Sequence, residues 1–442
     1  MSPPLPRTLA GPLAALLLLA AGGAAADDLP TAPPEERETG DEHEHEHEHE
    51  PSAAPQEHEP APARGPRWYA IPNFAFDTDD GLGFGARGEL AFDLPGHEPY
   101  QSAWVLHLFL TTRGFHHHRL RYDRTGLGPG GRLRFTAHLA WRQWLNDGYW
   151  GLGNGTVRER RWLDRADTDE AAAKRYRYTL RQPFAHLTLR LRLAGPWLAF
   201  AALDGKISRI ATYPGSLLAE EQPFGMAGGP SLTVAGGLLR DTRRPEITPR
   251  TGLFAELSGR WCFPLPGGAG AFGGPLLSLR GYRAVGPRVV LAGRLLAEAL
   301  AGEIPFYELV HWGGLVPVAG FGGAETLRGL AFGRWRAPGK ALANLEARVD
   351  LLSHGVFGRP LRWQLVPYLD AGAVFGGEPS PGAATPDFPL HPAGGLGIRA
   401  IYEEAFVGRV DTGFGLDPVR ELDGSVTQEP TLGIYVVFDH MY

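Results

Sequence analysis

Four histidines alternate with glutamates in DEHEHEHEHE, at His43, His45, His47 and His49. Imidazole and carboxylate together suit zinc, copper or nickel. The residues around them are prolines, alanines and more glutamates, so nothing there fixes a coordination geometry. The expectation is weak, unspecific metal affinity and no resident cofactor. His116, His117 and His118 form a second cluster. In a strand, alternation sends His117 to one face and its neighbours to the other, which argues against one shared ion. No serine stands with a histidine and an acid in a nucleophile setting, and no phosphate-cradling loop occurs. Glycine repeats such as GLGFG read as strand ends and kinks. The chain is expected not to be an enzyme.

One further residue demands a partner. In GFGGAETLRGLAFGRWRAPGK (320–340), Arg328 stands between Leu327 and Gly329. The stretch is too rich in glycine for a helix and too long for a hairpin turn. Its destination depends on the elements around it.

Those elements begin with an address. Arg7 precedes the apolar run LAGPLAALLLLAA, and small residues close it at Ala24, Ala25 and Ala26. This reads as a secretory signal peptide over 1–26. Residues 27–66 carry thirteen acidic and two basic side chains, leaving 67–442 weakly basic at +4. The acidic stretch is low in complexity and is expected to be a disordered periplasmic leader. A weakly basic body gives no case for nucleic acid. The single cysteine, Cys262, excludes an internal disulfide framework.

From Trp68 onward the hydrophobic period is two. Leu133, Phe135, Ala137, Leu139 and Trp141 alternate with Arg132, Arg134, Thr136, His138 and Arg142. Leu187, Leu189, Leu191 and Leu193 alternate with His186, Thr188, Arg190 and Arg192. Such strands, apolar on one face and charged on the other, fit a lipid-facing wall around a hydrated lumen. Sixteen runs of this kind start near 68, 81, 101, 115, 131, 175, 196, 229, 252, 275, 287, 340, 361, 391, 405 and 430. They predict an all-β, 16-stranded antiparallel transmembrane β-barrel over 67–442, closed so that no edge is left bare. The last run, PTLGIYVVFDHMY, places Ile434, Val436, Phe438 and Tyr442 on one face, as a closing strand should. Trp68, Tyr69, Trp141, Trp144, Tyr149 and Trp150 are expected in interfacial girdles.

Three stretches carry a family likeness: IPNFAFDTDDGLGFGARGELAF (71–92), YWGLGNGT (149–156) and LLRDTRRPEITPRTGLFAELSGRW (238–261). They resemble the BamA/TamA superfamily of bacterial surface antigen barrels. The third is similar to its Arg-Asp-Thr-Arg hairpin, here Arg240, Asp241 and Arg243, with Gly252 following. Leu327-Arg328-Gly329-Leu330 resembles the arginine motif of the family's sixth loop, with leucine where an aromatic is usual. The resemblance implies an outer-membrane barrel without periplasmic POTRA modules that inserts or moves proteins, or lipids, and whose sixth loop folds inward between strands 11 and 12.

Alternation then supplies the arginine's partners. Glu346 opposes Leu345, and Asp370 lies between Leu369 and Ala371, so both carboxylates face the lumen. A guanidinium fork holds two carboxylates with a geometry that lysine cannot match. The loop is expected to be a tongue and Arg328 its latch. Pro430, at the start of the last run, and Gly81, Gly83 and Gly85 in the second leave the first–last seam short of ladder-stabilising side chains. Seam opening is the expected mechanism, on an unfolded protein client in outer-membrane lipid. The alternative is a passive pore or a structural surface barrel.

Overall fold

The structure of the protein, a computed structural model, describes residues 66–94, 100–245, 248–356, 358–384, 390–402, 406–438 and 442. The signal, the acidic leader and His43, His45, His47 and His49 lie outside the described residues.

Sixteen long strands follow one another in the described chain. They are β1 (Arg67–Asp77), β2 (Gly81–Phe92), β3 (Ser102–Thr111), β4 (Phe115–Leu127), β5 (Leu133–Gly148), β6 (Arg177–Arg192), β7 (Trp197–Thr212) and β8 (Gly229–Asp241). Then come β9 (Gly252–Phe263), β10 (Phe272–Val285), β11 (Val289–Ala299), β12 (Gly339–Val356), β13 (Arg359–Phe375), β14 (His391–Tyr402), β15 (Phe406–Arg420) and β16 (Val426–Phe438). Each pairs antiparallel with the next, and β1 pairs with β16, so the sheet closes on itself. The last strand starts at Val426, ahead of Pro430, which stands within it.

The alternation read from sequence is the inside and outside of this cylinder. Leu345 and Leu369, paired across β12 and β13, are 61% and 66% exposed, whereas their neighbours Glu346 and Asp370 are 3% and 2%. Leu139, Leu187, Leu189, Leu257, Phe414 and Leu432 are likewise bare on the outside. An exposed apolar surface that encircles a closed barrel is a lipid-facing belt. No described helix is long and apolar enough to cross a membrane; the crossing is by strands.

The two ends of the barrel differ in their longest connections. Three residues or fewer join β10 to β11, and β12 to β13, at one end. At the other end lie the long connections: 149–176 after β5, 300–338 after β11 and 376–390 after β13. In bacterial barrels the long loops are the extracellular ones.

Two aromatic expectations need correction. Trp68 and Trp141 are exposed on the outside, but Tyr69 falls on the opposite, lumenal face beside Glu89, to which its hydroxyl donates, and Trp144, Tyr149 and Trp150 are buried within. Trp144 falls on the lumenal parity of β5, and the other two begin a loop that folds over the barrel mouth. Tyr442 is also not on the seam. It is 6% exposed inside the cylinder, clustered with Tyr282, Val290 and Ala292. The Arg294 and Arg348 guanidiniums lie 4.9 and 5.6 Å from its ring, which holds it inside.

Candidate functional site: the tongue, its latch and the seam

The connection between β11 and β12 folds into the barrel. Phe321, Leu327, Leu330 and Trp335 are buried with wall residues Leu276, Leu296, Leu342 and Val374, giving the tongue an apolar core of its own. Leu330 takes the place of an aromatic by packing over Gly415, where any Cβ would lie 2.5 Å from its Cδ2.

Arg328 is fully buried. Its Nε and Nη2 donate to the two oxygens of Asp370, each at 2.9 Å, and Nη1 donates to Glu346 Oε1 at 2.8 Å. Its backbone amide donates to Asp370 as well, at 3.1 Å. Glu346 and Asp370 are the partners that alternation predicts. The Tyr368 ring lies beneath the guanidinium, 3.3 Å to its centroid. Dehydrating a charge to this degree is tolerated only because each of the three guanidinium nitrogens has a carboxylate partner.

Several partners escaped the sequence reading. Asp411, on β15, stands 3.5 Å from Arg328 Nη1 and accepts from Arg399 and Arg409. Asn344 donates to Asp370 at 2.7 Å and to the tongue carbonyl of Thr326 at 2.7 Å. Arg294 and Arg409 donate to the tongue carbonyls of Glu325 and Ala324 at 2.6 and 3.0 Å. Four strands, β11, β12, β13 and β15, thus hold one short segment.

Two more buried arginines continue the tongue toward the long loops. Arg334 donates to Asp417 at 2.8 Å and to Thr156, at its hydroxyl and carbonyl, at 2.8 and 2.9 Å. Arg336 donates to the carbonyls of Phe306 and Gly148 at 3.1 and 2.5 Å. The YWGLGNGT stretch therefore caps the tongue from outside, and Gly153 adds a backbone bond to Arg336 at 2.8 Å. Leu152 in turn donates to Ser380 of the loop after β13, at 2.7 Å.

Among the described residues the seam ladder is short: Phe76 opposite Val436 and Asp77 opposite Tyr435, extended by Thr78 N–H to Ile434 at 3.2 Å. By contrast β1 pairs with β2 along its full length, Arg67 to Asp77. Val426–Gly433 of β16, including Pro430, run past the end of β1 with no ladder partner on that edge among the described residues. A cavity of about 320 Å³ opens there, lined by Thr78, Asp79, Leu330, Thr431, Gly433 and Tyr435.

The tongue touches both sides of this seam. On the β16 side, Gly329 N–H donates to Tyr435 at 3.0 Å and Thr431 donates to the Gly329 carbonyl at 2.6 Å. On the β1 side, Phe332 N–H donates to Asp79 in the β1–β2 turn at 2.9 Å. Asp80, in the same turn, accepts from Trp144 Nε1 at 3.4 Å. Burial, and then the neighbouring Asp79, push its carboxyl up to about 7.

Other sequence candidates fall elsewhere. Gly83 and Gly85 lie one strand in from the seam, where a Cβ would meet Phe109 or the Leu108 carbonyl at 2.3 Å; Gly81 opens β2 at φ +80°. In the Arg-Asp-Thr-Arg hairpin, Asp241 accepts from Arg243 Nε and Nη2 at 2.9 and 2.7 Å. Gly252 takes φ +107°, with its Cβ position 2.2 Å from the Thr242 carbonyl. Arg240 lies in register with the outward Trp197. This motif orders the short-turn end and does not join the latch. Among the described residues no group of three His, Cys, Asp or Glu side chains is placed to hold a metal.

No family model matches the sequence, and no curated protein matches it. Solved structures do resemble the fold. BamA from Haemophilus ducreyi, in a form lacking POTRA domains 1–3, is 13% identical, with 84% of this chain and 70% of that one covered at a TM-score of 0.51. CdiB from Escherichia coli is 12% identical, with 85% and 63% covered at a TM-score of 0.55. The chain thus spans less than two thirds of the CdiB chain. Its described residues have the fold of the BamA and CdiB outer-membrane barrels, a membrane-spanning cylinder of sixteen antiparallel strands.

Proposed function

We propose that the protein works in the outer membrane by opening its β1–β16 seam, to insert or translocate polypeptide through strand pairing and without covalent chemistry. The observation that carries this reading is the short seam ladder, bridged from inside by the tongue through Tyr435 and Thr431 on one flank and Asp79 on the other. A strand edge left unpaired can template another chain. The resemblance of the arginine motif and the barrel fold support a protein client, and the occupied lumen favours a gated barrel over a permanently open pore.

A disulfide between Phe76→Cys and Val436→Cys, which face each other in the ladder, tests it in a Cys262→Ser background. Oxidation should stop insertion of an unfolded barrel client into proteoliposomes, and reductant should restore it. Equal insertion by locked and unlocked protein would remove the mechanism. A large, steady ion-selective current from the unmodified protein would instead establish the pore.

A further inference from the structure

We propose that the outer face of β4–β7, at the long-loop end, binds a phosphorylated, multiply acylated glycolipid of the lipid A class.

The apolar belt breaks here. His116, Gln143, Arg181 and Arg209 are successive cross-strand partners on β4, β5, β6 and β7. They share the outward parity of Leu110, Trp141, Leu187 and Ile207, all of which are exposed. His116-His117-His118 thus resolves into two outward rings, 5.9 Å apart, and one inward. Arg181 stands directly opposite Arg209, and both are exposed. Like charges directly opposed on a sheet repel, and cations at a lipid face are costly unless an anion meets them. Arg181 Nε donates to Gln143 at 2.8 Å, and among the described residues neither arginine forms an ion pair with a carboxylate. Their forks are open to an anion from outside.

A groove of about 710 Å³ lies directly beneath this row, lined by Leu139, Trp141, Pro183, Ala185, Gly205 and Ile207, among others. Two small residues, Ala185 and Gly205, face each other across β6 and β7 and form a hollow. Pro183 falls in the gap of the β6–β7 ladder between Arg181 and Phe184. Above the row, Lys174 Nζ sits 4.5 Å from the centre of the Tyr213 ring and adds a cation at loop level.

Cations above an apolar hollow match an amphiphile with an anionic head and acyl chains. Paired guanidiniums prefer phosphate. The long-loop end faces the outer leaflet, so the phosphate belongs to a lipid of that leaflet.

The test is native mass spectrometry of the detergent-purified full chain. Bis-phosphorylated lipid A, its dephosphorylated form and phosphatidylglycerol are each added in turn. Lipid A should stay bound, and dephosphorylation should weaken it at least tenfold, as should Arg181→Gln with Arg209→Gln. Arg209→Glu separates folding from binding: it creates an ion pair with Arg181, so the barrel should be as heat-resistant as the parent yet lose lipid A. Arg240→Gln, an outer-face arginine away from the row, should leave binding unchanged. Undiminished lipid A binding by Arg209→Glu, or equal retention of phosphatidylglycerol, would overturn the assignment.

Discussion

Phe332 donates its backbone amide to Asp79 at 2.9 Å, which ties the tongue to the turn where β1 ends. Three residues earlier Gly329 is tied to β16. A segment that spans a seam on both sides resists its opening, so conditions that weaken either tie should loosen the barrel there first.

Deprotonation of Asp80 is one such condition. Asp80 lies beside Asp79 in the turn and titrates near 7, whereas an ordinary carboxyl in an unfolded chain titrates near 4. Folding raises this pKa, so the folded form retains a proton that the unfolded chain releases. The resulting stability is full below about pH 4 and is lost as pH rises through about 7. The temperature at which the folded gel band converts to the unfolded one should fall between pH 5 and 8.5. Asp80→Asn should flatten that dependence. A parent protein indifferent to pH would contradict it.

Removing the latch arginine tests the lumenal network. Arg328→Ala leaves Asp370 buried without its cation, although Glu346 keeps Arg348 and Arg399, and breaking a buried pair of this kind costs about 3–5 kcal/mol. Arg328→Lys should recover only part of that, because one ammonium cannot span both oxygens of Asp370 and also reach Glu346. Urea unfolding in detergent should rank the parent above lysine and lysine above alanine. A lysine midpoint equal to the parent's would show that charge, and not the fork, is what matters.

The outer cap makes a separate prediction. Arg334 links the tongue to Thr156 and Asp417, so Arg334→Gln should free the 149–176 loop from the mouth without touching Arg328. Planar-bilayer recordings should then show more frequent and larger current bursts than the parent gives. Protease cutting within 149–176 should quicken in parallel, and unchanged traces would place the seal elsewhere.

How much of this was written locally follows from what alternation can and cannot encode. Leu345 and Leu369 declare the faces of their strands, so Glu346 and Asp370 were legible as inward acids. Asp411 has the same inward parity, but nothing local says that the wall curves β15 round to meet a tongue held by β12. Arg334 and Arg336 sit in a loop, where parity gives no direction. Tyr442 continued the outward face of its strand in sequence, yet Arg294 and Arg348, distant in the chain, hold it inside. Faces are local, and partners across the lumen are not.

Backbone proximity gives the last prediction. Gly329 adopts φ +103°, and a Cβ there would lie 2.7 Å from the backbone of Gly413 and Phe414 on β15. Reciprocally, a Cβ on Gly413 would lie 2.6 Å from the Arg328 carbonyl. Neither contact involves charge, so the wall glycine separates steric fit from electrostatics. Gly413→Ala keeps every acid and arginine and has no strained φ of its own to satisfy, yet it must push the tongue away from the wall. Moving the guanidinium by even a few tenths of an ångström lengthens its bonds to Asp370 and Glu346 together. The expected loss is about 1–3 kcal/mol from overpacking, read by the same urea midpoints, together with larger bilayer currents as the tongue lifts. Gly355→Ala, at the short-turn end of β12, where a Cβ would meet nothing within 4 Å, should leave both readouts at the parent value. If Gly413→Ala did so too, close approach of tongue and wall would not be what seats Arg328.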